Sequence, residues 1–166
     1  MKITRVMQHD IDCHTVYEMS HSKEFQDRKC ADAGALSWSV QVTVDGDTAV
    51  VRTRRKLPTV GFPPLLRKVM PSGVTSTETI AWSAAAADSS RTATLDVDFH
   101  GAPARMSGTI TLTPGQDGGA CIVVDAEFKA IVPIIGGRIE KLAAPIILSV
   151  IEAEEQTGRA WVADVV

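Results

Sequence analysis

The apolar residues of this chain keep a two-residue period through its middle and a helical period at its end. Leu36, Trp38, Val40, Val42 and Val44 alternate with Ser37, Ser39, Gln41 and Thr43. Alternation of this kind marks a strand with one buried face. Asp45-Gly46-Asp47 supplies a tight turn and Thr48 to Leu57 returns, so Leu36–Leu57 reads as a hairpin. Further strands are expected at Val74–Trp82, Thr92–Phe99, Ala104–Leu112 and Ala120–Ile131, separated by a small polar turn at Ala84–Ser90 and by turns bearing Gly and Pro at Gly101–Pro103 and Thr113–Gly119.

From Pro133 the period becomes helical and stays so. Ile139, Ala143, Ile147, Val150, Thr157 and Trp161 fall on one face at about 100° per residue. About 28 residues at 1.5 Å each span roughly 40 Å, the length of a sheet. Pro145 should bend this helix by removing one backbone bond, and Leu148 falls on its outer face.

Ahead of the hairpin, Lys2–Gln8 reads as a strand, and Ile11–Met19 and Ser22–Cys30 as two short helices. Asp10 or Asp12 caps the first, and Ser20 or Ser22 the second. Between Pro58 and Pro71 four prolines break the alternation, and Pro64–Met70 forms a short helix with Pro at its start. The expected fold class is therefore α+β: a curved antiparallel sheet wrapped around a long C-terminal helix, with two short helices after strand 1. Only the long helix is big enough to cover the sheet. The chain of 166 residues is read as one domain, 1–166.

Composition removes several function classes. A hydrophobic fraction of 45% is too high for a disordered chain. A net charge of −3 offers no basic stripe, and three Trp, one Tyr and four Phe are few for stacking bases, so nucleic acid is not an expected partner. The residues after Met1 form no apolar leader. The longest uncharged apolar run, Leu142–Ile151, is half of the about 20 residues a bilayer requires. Cys13, Cys30 and Cys121 are too scattered for a metal or disulfide framework and read as small apolar groups in a reduced, cytoplasmic setting.

The chain lacks HExxH, zinc-type Cys/His spacing, a GxSxG elbow and a phosphate-cradling glycine loop. No catalytic residue, metal site or cofactor is assigned. The informative residues are polar ones on apolar parity. Glu78 shares the inward phase of Val74, Ile80 and Trp82; Arg55 shares that of Ala49, Val51 and Leu57; Glu154 lies on the helix face of Val150 and Trp161, with Thr157 at its centre. A buried lone charge costs several kcal/mol, so these groups pair, shift their pKa or meet water. Either Arg55, Glu78 and Glu154 line the polar part of an internal pocket, or they form a structural ion pair, or the parity slips at a bulge. The expected ligand-binding set is Arg55, Glu78, Glu154, Thr157, Trp82, Phe62 and Leu66. The Thr59–Met70 segment is either a mobile lid or a plug of the core. Small inward residues such as Ala49, Thr53, Gly108 and Ala143, with few aromatics, leave room for a cavity.

Some of these residues carry a resemblance. They are Glu24-Phe25, Arg54-Arg55-Lys56-Leu57-Pro58, Pro63-Pro64-Leu65-Leu66-Arg67-Lys68 and above all Ile131-Val132-Pro133-Ile134-Ile135-Gly136-Gly137-Arg138-Ile139-Glu140, with Trp161 near the end. Together with the element order they resemble the START-like superfamily, which includes birch-pollen-allergen-like proteins, lipid-transfer domains and polyketide cyclases. More narrowly they resemble a bacterial family of unknown function typical of high-GC Gram-positive bacteria. The resemblance implies a helix-grip fold and a cavity between sheet and helix that takes a small hydrophobic molecule such as a lipid, quinone or polyketide. Three functions stay open: a non-catalytic carrier or sensor; a cyclase- or aromatase-like enzyme using Glu78, Glu154 or Tyr17; and an interaction module docking through the helix or Leu65–Met70. A transient membrane contact through residues 60–70 accompanies the first, and oligomeric state is not readable.

Overall fold

A computed structural model describes residues 1–165. Its elements run β1 (Lys2–His9), α1 (Cys13–Ser20), α2 (Lys23–Asp32), β2 (Ser37–Asp45), β3 (Thr48–Leu57), α3 (Pro64–Val69), β4 (Val74–Trp82), β5 (Arg91–His100), β6 (Ala104–Pro114), β7 (Ala120–Ala130) and α4 (Gly136–Val165). The seven strands form one sheet in the order β1-β7-β6-β5-β4-β3-β2, antiparallel throughout. Every pair of neighbours but one is consecutive in the chain. The exception is β1, which joins the far edge by pairing Lys2 with Glu127 and His9 with Ala120.

The two short helices start where the sequence offers side-chain acceptors. Asp12 takes the amide of Thr15 at 2.8 Å, and Ser22 takes that of Phe25 at 3.3 Å. Each satisfies a first-turn donor that would otherwise lack a partner. The long helix continues through Pro145 to Val165, two residues longer than the about 28 its pattern predicts. Near its start Glu140 accepts the Ala130 amide at 3.1 Å, which ties the helix to the end of β7.

Gly108 marks a close approach of β6 to β7. A Cβ there would come within 2.5 Å of the Ala126 Cα and closer still to the Asp125 carbonyl. Only glycine lets β6 approach β7 this closely in mid-strand.

The expected inward face of β2 is a correction. Of its alternating residues only Val40 is buried, while Leu36, Trp38 and Val44 are 63%, 40% and 55% exposed. β2 is an edge strand, and the helix packed on it is α2, not α4. Trp38 instead lays its indole N–H on Asp27 of α2 at 3.1 Å. The long helix is accordingly not the sole cover. α2 packs between β2 and α4, with Phe25 edge-to-face on Trp161 at 5.6 Å, and α1 packs on β6. Cys13 and Cys30 are buried, as expected, whereas Cys121 is only half-buried.

Candidate functional site: a divided cleft under the long helix

The core between sheet and α4 is not filled. A cavity of about 130 Å³ lies under α3, the β5–β6 turn and the middle of α4. Leu57, Leu66, Val97, Phe99, Phe128, Ile139, Ala143 and Ile147 give it an almost wholly apolar wall. A second cavity of about 120 Å³ lies under α1 and α2, among Met19, Phe25, Trp82, Ile110 and Ile122, with His9, Gln26 and Lys29. The two share Glu78, Met106, Ile151 and Glu154 in their walls.

The shared wall is charged. Arg55, from the inward face of β3, donates to Glu154 of α4 at 3.0 Å. Lys29 of α2 stands 3.4 Å from Glu154 and 3.7 Å from Glu78 of β4. These side chains retain only 8% (Arg55, Lys29), 12% (Glu78) and 20% (Glu154) of their exposure. Burial alone would lower the Lys29 pKa, but attraction to Glu154 and Glu78 outweighs it and holds the ammonium above its usual range. The same contest holds the Arg55 guanidinium up and, with the sign reversed, keeps the Glu154 carboxyl below the ordinary glutamate value. Burial pushes the neighbouring Cys30 thiol up, so it stays protonated.

The sequence reading placed Arg55, Glu78 and Glu154 together, and all three meet at one wall of the first cavity. Arg55 and Glu154 form an ion pair, Glu78 stands nearer Lys29, and all three border the first cavity. Phe62 and Leu66 line the first cavity, Leu66 at 1% exposure. Trp82 lines the second cavity instead. Thr157 is buried but borders neither. Its hydroxyl is donated toward Asp32 at 2.9 Å, and it also lies 3.0 Å from the Ala153 carbonyl, so it serves the α2–α4 contact. Lys29 was missed. The signal was weak because α2 is mostly charged, and only its spacing from Phe25, four residues earlier, puts it on the buried face.

A separate polar assembly surrounds Tyr17. The Arg91 guanidinium lies 3.6 Å above the Tyr17 ring and donates to the carbonyls of Asp47 and Ser83 at 2.8 and 2.9 Å. Trp82 meets Tyr17 edge-on at 6.1 Å, and burial raises the phenol pKa. Among the described residues, no cluster of three or more His, Cys, Asp or Glu is placed to hold a metal, and no helix is long and apolar enough to cross a membrane.

A seven-stranded antiparallel sheet gripping one long C-terminal helix is the helix-grip fold of START-like proteins. Solved structures agree. The protein TTHA0849 from Thermus thermophilus is 18% identical, with 95% of this chain and 96% of that one covered at a TM-score of 0.59. A START superfamily protein from Mycobacterium smegmatis is 11% identical, with 93% and 94% covered at 0.53. Human STARD10 is 10% identical, with 94% of this chain but 62% of that one covered at 0.59. Identities this low show the fold alone. Among curated proteins no sequence match is found. A family model does match, over residues 4–162, and the chain belongs to that family, described as Protein of unknown function (DUF2505).

Proposed function

We propose that the protein is a non-catalytic carrier or sensor of a small hydrophobic molecule held between the sheet and α4. The observation that carries this reading is the first cavity: apolar on nearly every side, with one polar wall built from Arg55, Glu78 and Glu154. Apolar pockets with a few placed polar groups are the usual design of small-molecule sites. The START-like fold supports the same class of ligand. Lipids, quinones and polyketide-like molecules all fall within it.

Enzymatic use of the site receives less support. Glu154 is held ionised by two cations, which suits a structural anion better than a general acid. Tyr17 is enclosed by Arg91 and Trp82 and lines neither cavity. Ligand exchange would run through transient membrane contact of residues 60–70, a segment in which Val60 is 91% exposed and Arg67 and Lys68 are exposed as well.

Native mass spectrometry of the protein purified from its own host tests the carrier reading. A non-covalent adduct that extracts into organic solvent supports it. Only the bare chain mass, across gentle preparations, counts against it.

A further inference from the structure

The charged wall constrains which hydrophobic molecule fits. Two cations, Arg55 and Lys29, face two carboxylates, Glu78 and Glu154, and the Cys30 thiol beside them is neutral. The four charges cancel. A fatty acid or a fatty amine entering the first cavity would add a fifth, uncompensated charge at a buried site, which is strongly disfavoured.

Neutrality still leaves hydrogen-bonding capacity at this wall. Among the described residues no donor is hydrogen-bonded to the Glu78 carboxylate, and its nearest cation, Lys29, stands 3.7 Å away, beyond hydrogen-bond reach. The buried Arg55 Nε–H likewise has no acceptor among them. An unfilled acceptor, Glu78, thus borders the cavity, and Arg55, which also borders it, carries an unfilled donor buried behind that wall. A hydroxyl is the smallest uncharged group that both donates and accepts. A ketone or ester carbonyl accepts only.

We infer that the ligand of this cavity is an uncharged, hydroxyl-bearing apolar molecule, an alcohol or phenol, whose polar end lies at the Arg55–Lys29–Glu78–Glu154 wall and whose apolar body fills the space under α3 and α4. The inference rests on the carrier reading above and deepens it to a ligand class.

Four probes of equal chain length separate the alternatives: octanol, methyl hexyl ketone, octanoate and octylamine, titrated at neutral pH and followed by amide-shift NMR. Octanol is expected to bind tightest, at least tenfold over octanoate and over octylamine, with the ketone between. Shifts should centre on Arg55, Ser76, Glu78 and Glu154. Octanoate or octylamine binding as tightly as octanol overturns the inference and leaves the carrier reading standing. No binding by any probe overturns both. Single-charge variants give an independent readout. Glu154→Gln leaves one excess positive charge and should shift the octanoate-to-octanol affinity ratio toward octanoate by at least tenfold. Arg55→Met leaves one excess negative charge and should shift the corresponding ratio toward octylamine. Unchanged ratios in folded variants overturn the inference. Glu78→Gln is the substitute where Glu154→Gln does not fold, and the order of affinities in the unaltered protein decides without any variant.

Discussion

Arg55→Met is the sharpest perturbation of the charged wall. The methionine keeps an apolar stem of similar reach but removes the charge and its donors. In the native fold Arg55 holds a 3.0 Å hydrogen bond to Glu154 and retains 8% of its side-chain exposure, so solvent screens little of the loss. Two carboxylates would then share one ammonium, Lys29, at 3.4 and 3.7 Å. Removing one partner of a buried pair costs about 3–5 kcal/mol, because the other charge stays buried and undercompensated. Glu154 keeps 20% exposure, which places the expectation toward the lower figure. For a domain of this size that is a fall in Tm of roughly 6–20 °C. The assay is urea unfolding of Arg55→Met, Glu154→Gln and the double variant. The double variant should be more stable than the sum of the single losses implies, with a coupling of about 0.5–3 kcal/mol. A loss below about 1 kcal/mol for Arg55→Met, or strict additivity, would refute the reasoning, since the four groups would then not act as one network.

Other outcomes follow from single residues. Gly108→Ala drives a methyl into the β7 backbone and should cost at least the roughly 1–3 kcal/mol of an overpacked core, read by urea unfolding, whereas a neutral result would mean that β6 and β7 can separate freely. Asp12→Ala removes the Thr15 amide's acceptor and should cost about 1 kcal/mol, measured the same way. Burial, then Arg159, lowers the His9 pKa from 6.5, so the unfolded chain binds the proton more readily. The contribution of His9 to stability is therefore full above 6.5 and is lost as pH falls through its lower folded value; His9→Gln should flatten that part of the stability–pH curve. Val60→Asp should reduce flotation with anionic liposomes while leaving the far-UV spectrum unchanged, and equal flotation would remove the membrane contact.

The architecture was legible because period is a strong signal. The strands from β3 onward lie close to where alternation put them, and the single switch to a helical period announced α4. What the pattern could not show was coverage. Leu36, Trp38 and Val44 alternate as cleanly as any buried strand, yet alternation does not reveal that β2 lies at the sheet's edge beyond the reach of α4. The charged wall was half legible for the same reason. Arg55, Glu78 and Glu154 stood out as charges on an apolar phase, whereas Lys29 sat in a helix too polar to have a phase. Thr157 had the right phase for burial, but burial against α2 is not burial against a cavity. Phase reports which side of an element faces inward and not what lies opposite it.

The central claim is that the space under α3 and α4 receives an apolar molecule. Titration with the uncharged fluorophore N-phenylnaphthylamine, on the unaltered protein and on Ala143→Trp, tests it most directly. Ala143 lines the first cavity from α4, and an indole there would occupy the space. A saturable rise in fluorescence for the unaltered protein, lost in a folded Ala143→Trp, is the predicted result. Equal binding by both, with the helical and strand signals intact, would contradict the claim.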